Sequence, residues 1–147
     1  MSEFYVKKPK DFHIKVEVST VFMEYEKKLL LLQRAPHKIS PGSWAIPGGK
    51  LEKNETPLEG LMREVKEELQ LSPSLKSIKH IKSLYVRHPL TDYRLHLFQW
   101  LLDSMPNITI NPEEHQASLW QPIDQFGNVH LLEGQLEAFH FAYKNWS

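Results

Sequence analysis

The first clear rhythm in the chain starts at His13. In H-I-K-V-E-V-S-T-V-F-M, the residues Ile14, Val16 and Val18 alternate with polar neighbours, a period of two that predicts a half-buried strand over residues 13–23. Tyr25-Glu26-Lys27 predicts a turn, and L-L-L-L-Q-R (Leu29 to Arg34) a buried strand beyond it. The stretch A-P-H-K-I-S-P-G-S carries two prolines and a glycine and predicts a loop. A short strand, W-A-I-P, follows and runs into Gly48-Gly49. Ahead of all this, residues 1–11 are polar, which suits a loose arm or an edge strand.

The pattern then changes period. Thr56 suits a helix N-cap, Pro57 the first helical position, and Glu59 completes a capping box. Leu58, Leu61, Met62, Val65 and Leu69 fall within about a third of the circumference, so one stripe of this helix faces a core. After Pro73 the spacing predicts two strands, residues 78–87 and 93–102, joined as a hairpin through P-L-T-D. D-S-M-P-N reads as a turn and Leu119-Trp120 as a last short strand. Residues 131–146 read as an amphipathic helix, with Leu132, Leu136, Phe139 and Tyr143 at helical spacing. Strands with one or two helices, without internal repeat or linker, predict a single α/β or α+β domain after the arm, over residues 12–147.

Composition narrows the function classes. With Lys plus Arg 18 and Asp plus Glu 18, the net charge is zero, and the footprint of a general nucleic-acid binder is missing. No cysteine is available for disulfides or thiolate metal sites. No window approaches the ~18 apolar residues of a membrane span, and the N-terminus lacks a secretory apolar run. The expectation is a cytoplasmic protein that binds neither membrane nor nucleic acid.

The chemistry concentrates in R-E-V-K-E-E-L, Arg63 to Leu69. At about 100° per residue, Glu64, Glu67 and Glu68 share a helical sector away from Leu58, Val65 and Leu69. Like charges one turn apart cost a helix roughly 0.2–0.5 kcal/mol per pair. A solvated acidic face relieved by Arg63 and Lys66 is the bland explanation. A hard divalent cation is the sharper one, since Mg²⁺ takes a few carboxylate oxygens together with water and substrate phosphate. Gly60 projects from the same sector, as if something must approach closely there, and Gly48-Gly49 would let backbone come near a ligand.

The segment G-K-L-E-K-N-E-T-P-L-E-G-L-M-R-E-V-K-E-E-L-Q-L, Gly49 to Leu71, resembles the Nudix box. That pattern is Gly, five residues, Glu, seven residues, Arg-Glu, an aliphatic, any residue, Glu-Glu, any residue, Gly, an aliphatic. Gly49, Glu55, Arg63, Glu64, Val65, Glu67, Glu68 and Leu71 match, and Gln70 stands where the pattern has its second glycine. The pattern's glycine sits just past the helix, where a left-handed residue commonly caps it. Gln70 would therefore cost about 1 kcal/mol there. W-A-I-P-G-G-K also looks like the family's lead-in.

The resemblance implies an α/β fold, an α/β/α sandwich with a mixed sheet. It implies Mg²⁺ or Mn²⁺ held by Glu64, Glu67 and Glu68, with the Gly49 carbonyl as a further oxygen. Arg63 would orient the carboxylates through Glu55. The implied reaction is hydrolysis of a diphosphate linkage in a nucleoside diphosphate derivative. Glu67 is the first candidate for general base and Glu114, in N-P-E-E-H-Q, the second. Arg34, at its strand end, would reach the nucleotide beside Gly48 and Gly49. The spacing from L-L-L-L-Q-R to W-A-I-P-G-G-K, with the acid before Trp120, looks most similar to the MutT-like branch and so to a nucleoside triphosphate pyrophosphohydrolase, including one that removes oxidised nucleotides. An ADP-ribose or nucleotide-sugar pyrophosphatase is the alternative, and a non-catalytic nucleotide-binding module the alternative of another class. Many relatives pair, so a homodimer stays open. Trp44 and Trp120 read as core or wall residues, and His80, His88 and His96 show no ligand spacing.

Overall fold

The computed structural model describes residues 1–144. Its elements run β1 (Glu3–Tyr5), β2 (Val16–Tyr25), β3 (Lys28–Arg34), β4 (Trp44–Ala45), β5 (Gly48–Lys50), α1 (Pro57–Leu69), β6 (Ile78–Arg87), β7 (Asp92–Leu101), β8 (His115–Pro122) and α2 (Gln135–Ala142). Short 3-10 turns lie at Leu75–Ser77 and Ile123–Asn128.

The strands form one mixed sheet. Its main path is β1-β6-β7-β2-β3-β4, with β5 added to β2 and β8 to β3. Neighbours pair antiparallel except β2 and β7, which run parallel from Val16↔Tyr93 to Glu24↔Leu101. β2 changes partner along its length on its other edge. Val18–Thr20 pair with β5, whereas only Glu24 and Tyr25 reach β3. The sheet therefore opens between β5 and β3, and that opening positions the site.

Alternation along each strand feeds two cores. Val21, Met23, Leu30, Leu32 and Phe98 pack under the stripe Leu61, Val65 and Leu69 of α1. Phe22, Leu29, Leu31, Leu84, Val86, Leu95 and Leu97 pack on the other face against Phe126, Ala138, Phe139 and Tyr143. That is an α/β/α sandwich. The three stripe residues of α1 are fully buried, and each contributes about 1.5–3 kcal/mol to holding the helix on the sheet. The start of α1 is as the residues predict: Thr56 accepts from Glu59 N–H and the Glu59 carboxylate accepts from Thr56 N–H.

Several boundaries differ from the sequence reading. The first long strand begins at Val16, and Ile14 is exposed. W-A-I-P is a strand only over Trp44–Ala45. The last strand spans eight residues around Leu119-Trp120 because all of β3 lies beside it as a pairing template. The C-terminal helix is shorter. Leu131 bridges Trp44 and Leu132 N–H donates to the Trp44 carbonyl, so this stretch is extended until Gly134, in the left-handed region (φ 91°), admits α2. Leu136 is exposed and Trp146 lies outside the described residues. The polar arm contains an edge strand, β1, paired with β6.

Candidate active site

A cleft of about 600 Å³ lies in the opening of the sheet. Glu64, Glu68, Gly48, Gly49, Arg34 and Glu114 all line it. Glu55, Arg63 and Glu67 are not in its wall, although Arg63 contacts Glu64 directly.

The three helix glutamates do not share one solvent sector. Glu68 is buried (7% exposed), Glu64 is half-buried, and the Glu67 side chain is 55% exposed. The cause is local: α1 seats Leu61, Val65 and Leu69 on the sheet, and Glu64 and Glu68 fall at the margin of that contact, over β5. Gly48 N–H donates to Glu68 Oε1 at 3.0 Å. A Cβ on Gly49 would come within 2.5 Å of Glu64 Cδ, and one on Gly48 would collide with the Ser19 carbonyl. The glycine pair thus serves the close approach of β5 to β2 and to the two carboxylates. Gly60 likewise makes room for Leu51 and the Glu55 carboxylate, protein neighbours rather than a ligand.

Arg63 organises the outer side. Its Nε donates to Glu55 Oε2 at 2.7 Å and its Nη2 to Glu55 Oε1 at 3.1 Å, a forked pair. Nη1 bridges Glu64 (3.0 Å) and Glu67 (3.2 Å), and Nη2 also reaches the Lys50 carbonyl. Hydrogen bonding from Arg63, with the Glu52 N–H, holds the Glu55 carboxyl below the usual range. The same Glu55 bond raises Arg63 further above its already high value.

Burial acts the other way on the inner pair. It raises Glu68 well above an ordinary carboxyl, and Glu64 adds repulsion that Gly48 N–H only partly offsets. Burial raises Glu64 too, against Arg63. Two adjacent carboxylates are therefore held in a low-dielectric wall with less positive charge than they need. An oxygen-only donor set short of positive charge fits a hard divalent cation. Among the described residues, no three acidic or histidine side chains yet converge on one point. Arg63 draws Glu64 and Glu67 together, while Gly48 holds Glu68.

The opposite wall comes from β3 and the segment before β8. The Arg34 Nε donates to the Ile39 carbonyl at 2.7 Å, and Lys38 Nζ meets Glu114 Oε2 at 3.0 Å. His37 and Ala35 tie the 35–43 loop to the carbonyls of Glu113 and Glu114. Val18, Tyr93, Leu95, Leu132 and Ala138 give the cleft an apolar end. Burial pushes the Tyr93 phenol up to about 12, so it stays neutral.

Two lining residues, Lys38 and His115, escape sequence reasoning. Lys38 lies in a stretch that reads only as loop. His115 is overshadowed by the acids of N-P-E-E-H-Q, and its orientation depends on a strand irregularity that composition does not reveal. Trp44 and Trp120 pack beside the two cores. His88 meets Glu133, while His80 and His96 both bond Ser83, so none of the three enters the cleft.

A NUDIX domain model matches residues 13–144, and the chain belongs to that family. It is 30% identical over 105 residues to the CTP pyrophosphohydrolase of Escherichia coli, covering 71% of this chain and 74% of that one. A shorter match, 39% over 67 residues, joins it to the ADP-ribose pyrophosphatase of Methanocaldococcus jannaschii, covering 46% of this chain and 39% of that one. The fold superposes on a MutT NUDIX hydrolase from Burkholderia pseudomallei with a TM-score of 0.72 at 18% identity, over 85% of this chain and 95% of that one. The protein is a Nudix hydrolase with a MutT-like fold. No helix among the described residues is long and apolar enough to cross a membrane.

Proposed function

We propose that the chain is a divalent-metal-dependent nucleoside triphosphate pyrophosphohydrolase. The observation carrying this reading is the charge-deficient pair of buried Glu68 and half-buried Glu64 in a cleft whose far wall presents Arg34 and Lys38. Carboxylates on one side and cations on the other suit a metal-bridged polyphosphate, and the apolar end suits a nucleobase. The similarity to a CTP pyrophosphohydrolase, which spans 71% of this chain against 46% for the ADP-ribose pyrophosphatase, favours a triphosphate over ADP-ribose or a nucleotide sugar.

Glu64, Glu67 and Glu68, with the Gly49 carbonyl, would hold Mg²⁺ or Mn²⁺. When bound, the ion would neutralise diphosphate charge and lower the pKa of an attacking water. Arg63 fixes Glu64 and Glu67 by hydrogen bonds and is itself fixed by Glu55, so the donors keep their spacing. Arg34 and Lys38 bind phosphate oxygens. A carboxylate accepts the proton of the attacking water, and Glu114 and Glu67 are its two candidates. Glu114 lines the cleft, whereas Glu67 is the more exposed.

The test is a substrate panel of canonical and oxidised dNTPs, CTP, ADP-ribose, nucleotide sugars and dinucleoside polyphosphates with Mg²⁺. The wild type is compared with E67Q, E68Q and E114Q. The expected result is nucleoside monophosphate and pyrophosphate from a triphosphate, with E68Q and at least one of E67Q and E114Q slower by several orders of magnitude while folded. Preferred turnover of ADP-ribose would sink the substrate assignment. Wild-type rates in all three variants would sink the enzyme site.

A further inference from the structure

β8 carries an irregularity at the mouth of the cleft. Its register with β3 shifts between Gln33 and Arg34: Gln33 faces Ala117, but Arg34 faces His115, leaving Gln116 as an extra residue. Regular alternation would put His115 on the face of Ala117 and Leu119. The bulge turns it to the face of Ser118 and Trp120, the one that packs toward α1. Gln116 is anchored outside by its Nε2, which donates to the Arg34 carbonyl. His115 ends buried, 7% exposed, with Nε2 3.9 Å from Glu68 Oε2.

The other ring nitrogen selects the tautomer. His115 Nδ1 is buried without a hydrogen-bond partner. A proton there would be an unsatisfied buried donor, while the Nε2 lone pair would face a carboxylate oxygen. A proton on Nε2 instead points toward Glu68, leaving only a lone pair unmatched, the cheaper defect. Glu68 Oε1 already accepts from Gly48 N–H, so the imidazole is the donor available to its second oxygen. Glu114, next in sequence, directs its carboxylate to Lys38.

We propose that His115 is a positioning residue: its Nε2–H orients the Glu68 carboxylate for cation binding. The proposal rests on the metal reading above. At 3.9 Å the approach is longer than a hydrogen bond and within the range of a charge–dipole contact. A donor behind a ligating carboxylate typically changes metal affinity by roughly 10–100-fold.

The test titrates Mn²⁺ into metal-free protein and reads free Mn²⁺ by electron paramagnetic resonance, with melting temperature as the fold control. H115L is expected to bind Mn²⁺ about 10–100-fold more weakly while melting within a few degrees of wild type. H115Q, which keeps an N–H donor, is expected to recover most of that loss. If H115L does not fold, H115M replaces it. Unchanged Mn²⁺ affinity in the apolar variant, with wild-type protein binding normally, would overturn the role of His115 alone. Wild-type protein that binds no Mn²⁺ would overturn the metal reading and this proposal with it.

Discussion

Arg63 has five N–H bonds, and the site uses all of them: two on Glu55, one each on Glu64 and Glu67, and one on the Lys50 carbonyl. Lysine keeps the charge but has no planar fork, so it cannot hold Glu55 from two nitrogens while bridging two other acids. R63K is expected to retain the fold and lose roughly ten- to a hundredfold in kcat. Steady-state kinetics beside a thermal melt would check this, and unchanged kcat would deny Arg63 an orienting part. At this scale the sequence was informative about identity and poor about environment. Spacing brought Glu64, Glu67 and Glu68 onto one helix, but α1 seats Glu68 in the protein and leaves Glu67 in water. Gly49 suggested room for a ligand, whereas its missing Cβ makes room for Glu64. Helical spacing alone does not say how deep a helix sinks.

Among the elements, α1 is the most completely specified, because cap, stripe and acids belong to a single period. Its end is where it departs from the family pattern. Gln70 caps the helix in the left-handed region, φ 57° and ψ 39°, where a Cβ is strained. Its side chain is exposed. Q70G should raise the melting temperature, by about 2–4 °C for about 1 kcal/mol of relieved strain, with activity retained. A lower melting temperature would show that the unfolded chain's extra freedom outweighs the relief. β8 and α2 were less legible. Only Leu119-Trp120 advertises a strand in β8, and the rest forms because β3 lies alongside. Leu131 and Leu132 have helical spacing, yet a backbone pairing with Trp44 overrides it.

For the whole molecule, the inner carboxylates should link stability to pH. Glu68 and Glu64 have folded pKa values above their unfolded ones, so the native state binds extra protons once pH passes the ordinary value of 4.5. Stability from these groups therefore falls as pH rises through that window. Glu55, lowered in the fold, contributes stability that is lost only as pH falls below that value. His96 and His115, lowered by burial, add stability as pH rises toward 6.5. These opposing slopes make the difference between variants the informative quantity. Metal-free E68Q should be more stable than wild type at neutral pH, by on the order of 1–2 kcal/mol, and the gap should close toward pH 4.5. Melts across pH, without metal, would show it. A gap that did not depend on pH would mean that Glu68 is ionised without penalty.

The parallel pairing of β2 with β7 joins residues far apart in sequence, Val16 with Tyr93. That long chain closure must be completed before the central strand has its main neighbour, and slow, non-local closures of this kind favour all-or-none assembly. The acids on α1 and the imidazole on β8 come from elements that meet through the sheet, β5 on β2 and β8 on β3. Activity regained during refolding should therefore lag the return of helical signal, which an activity assay run beside circular dichroism would check.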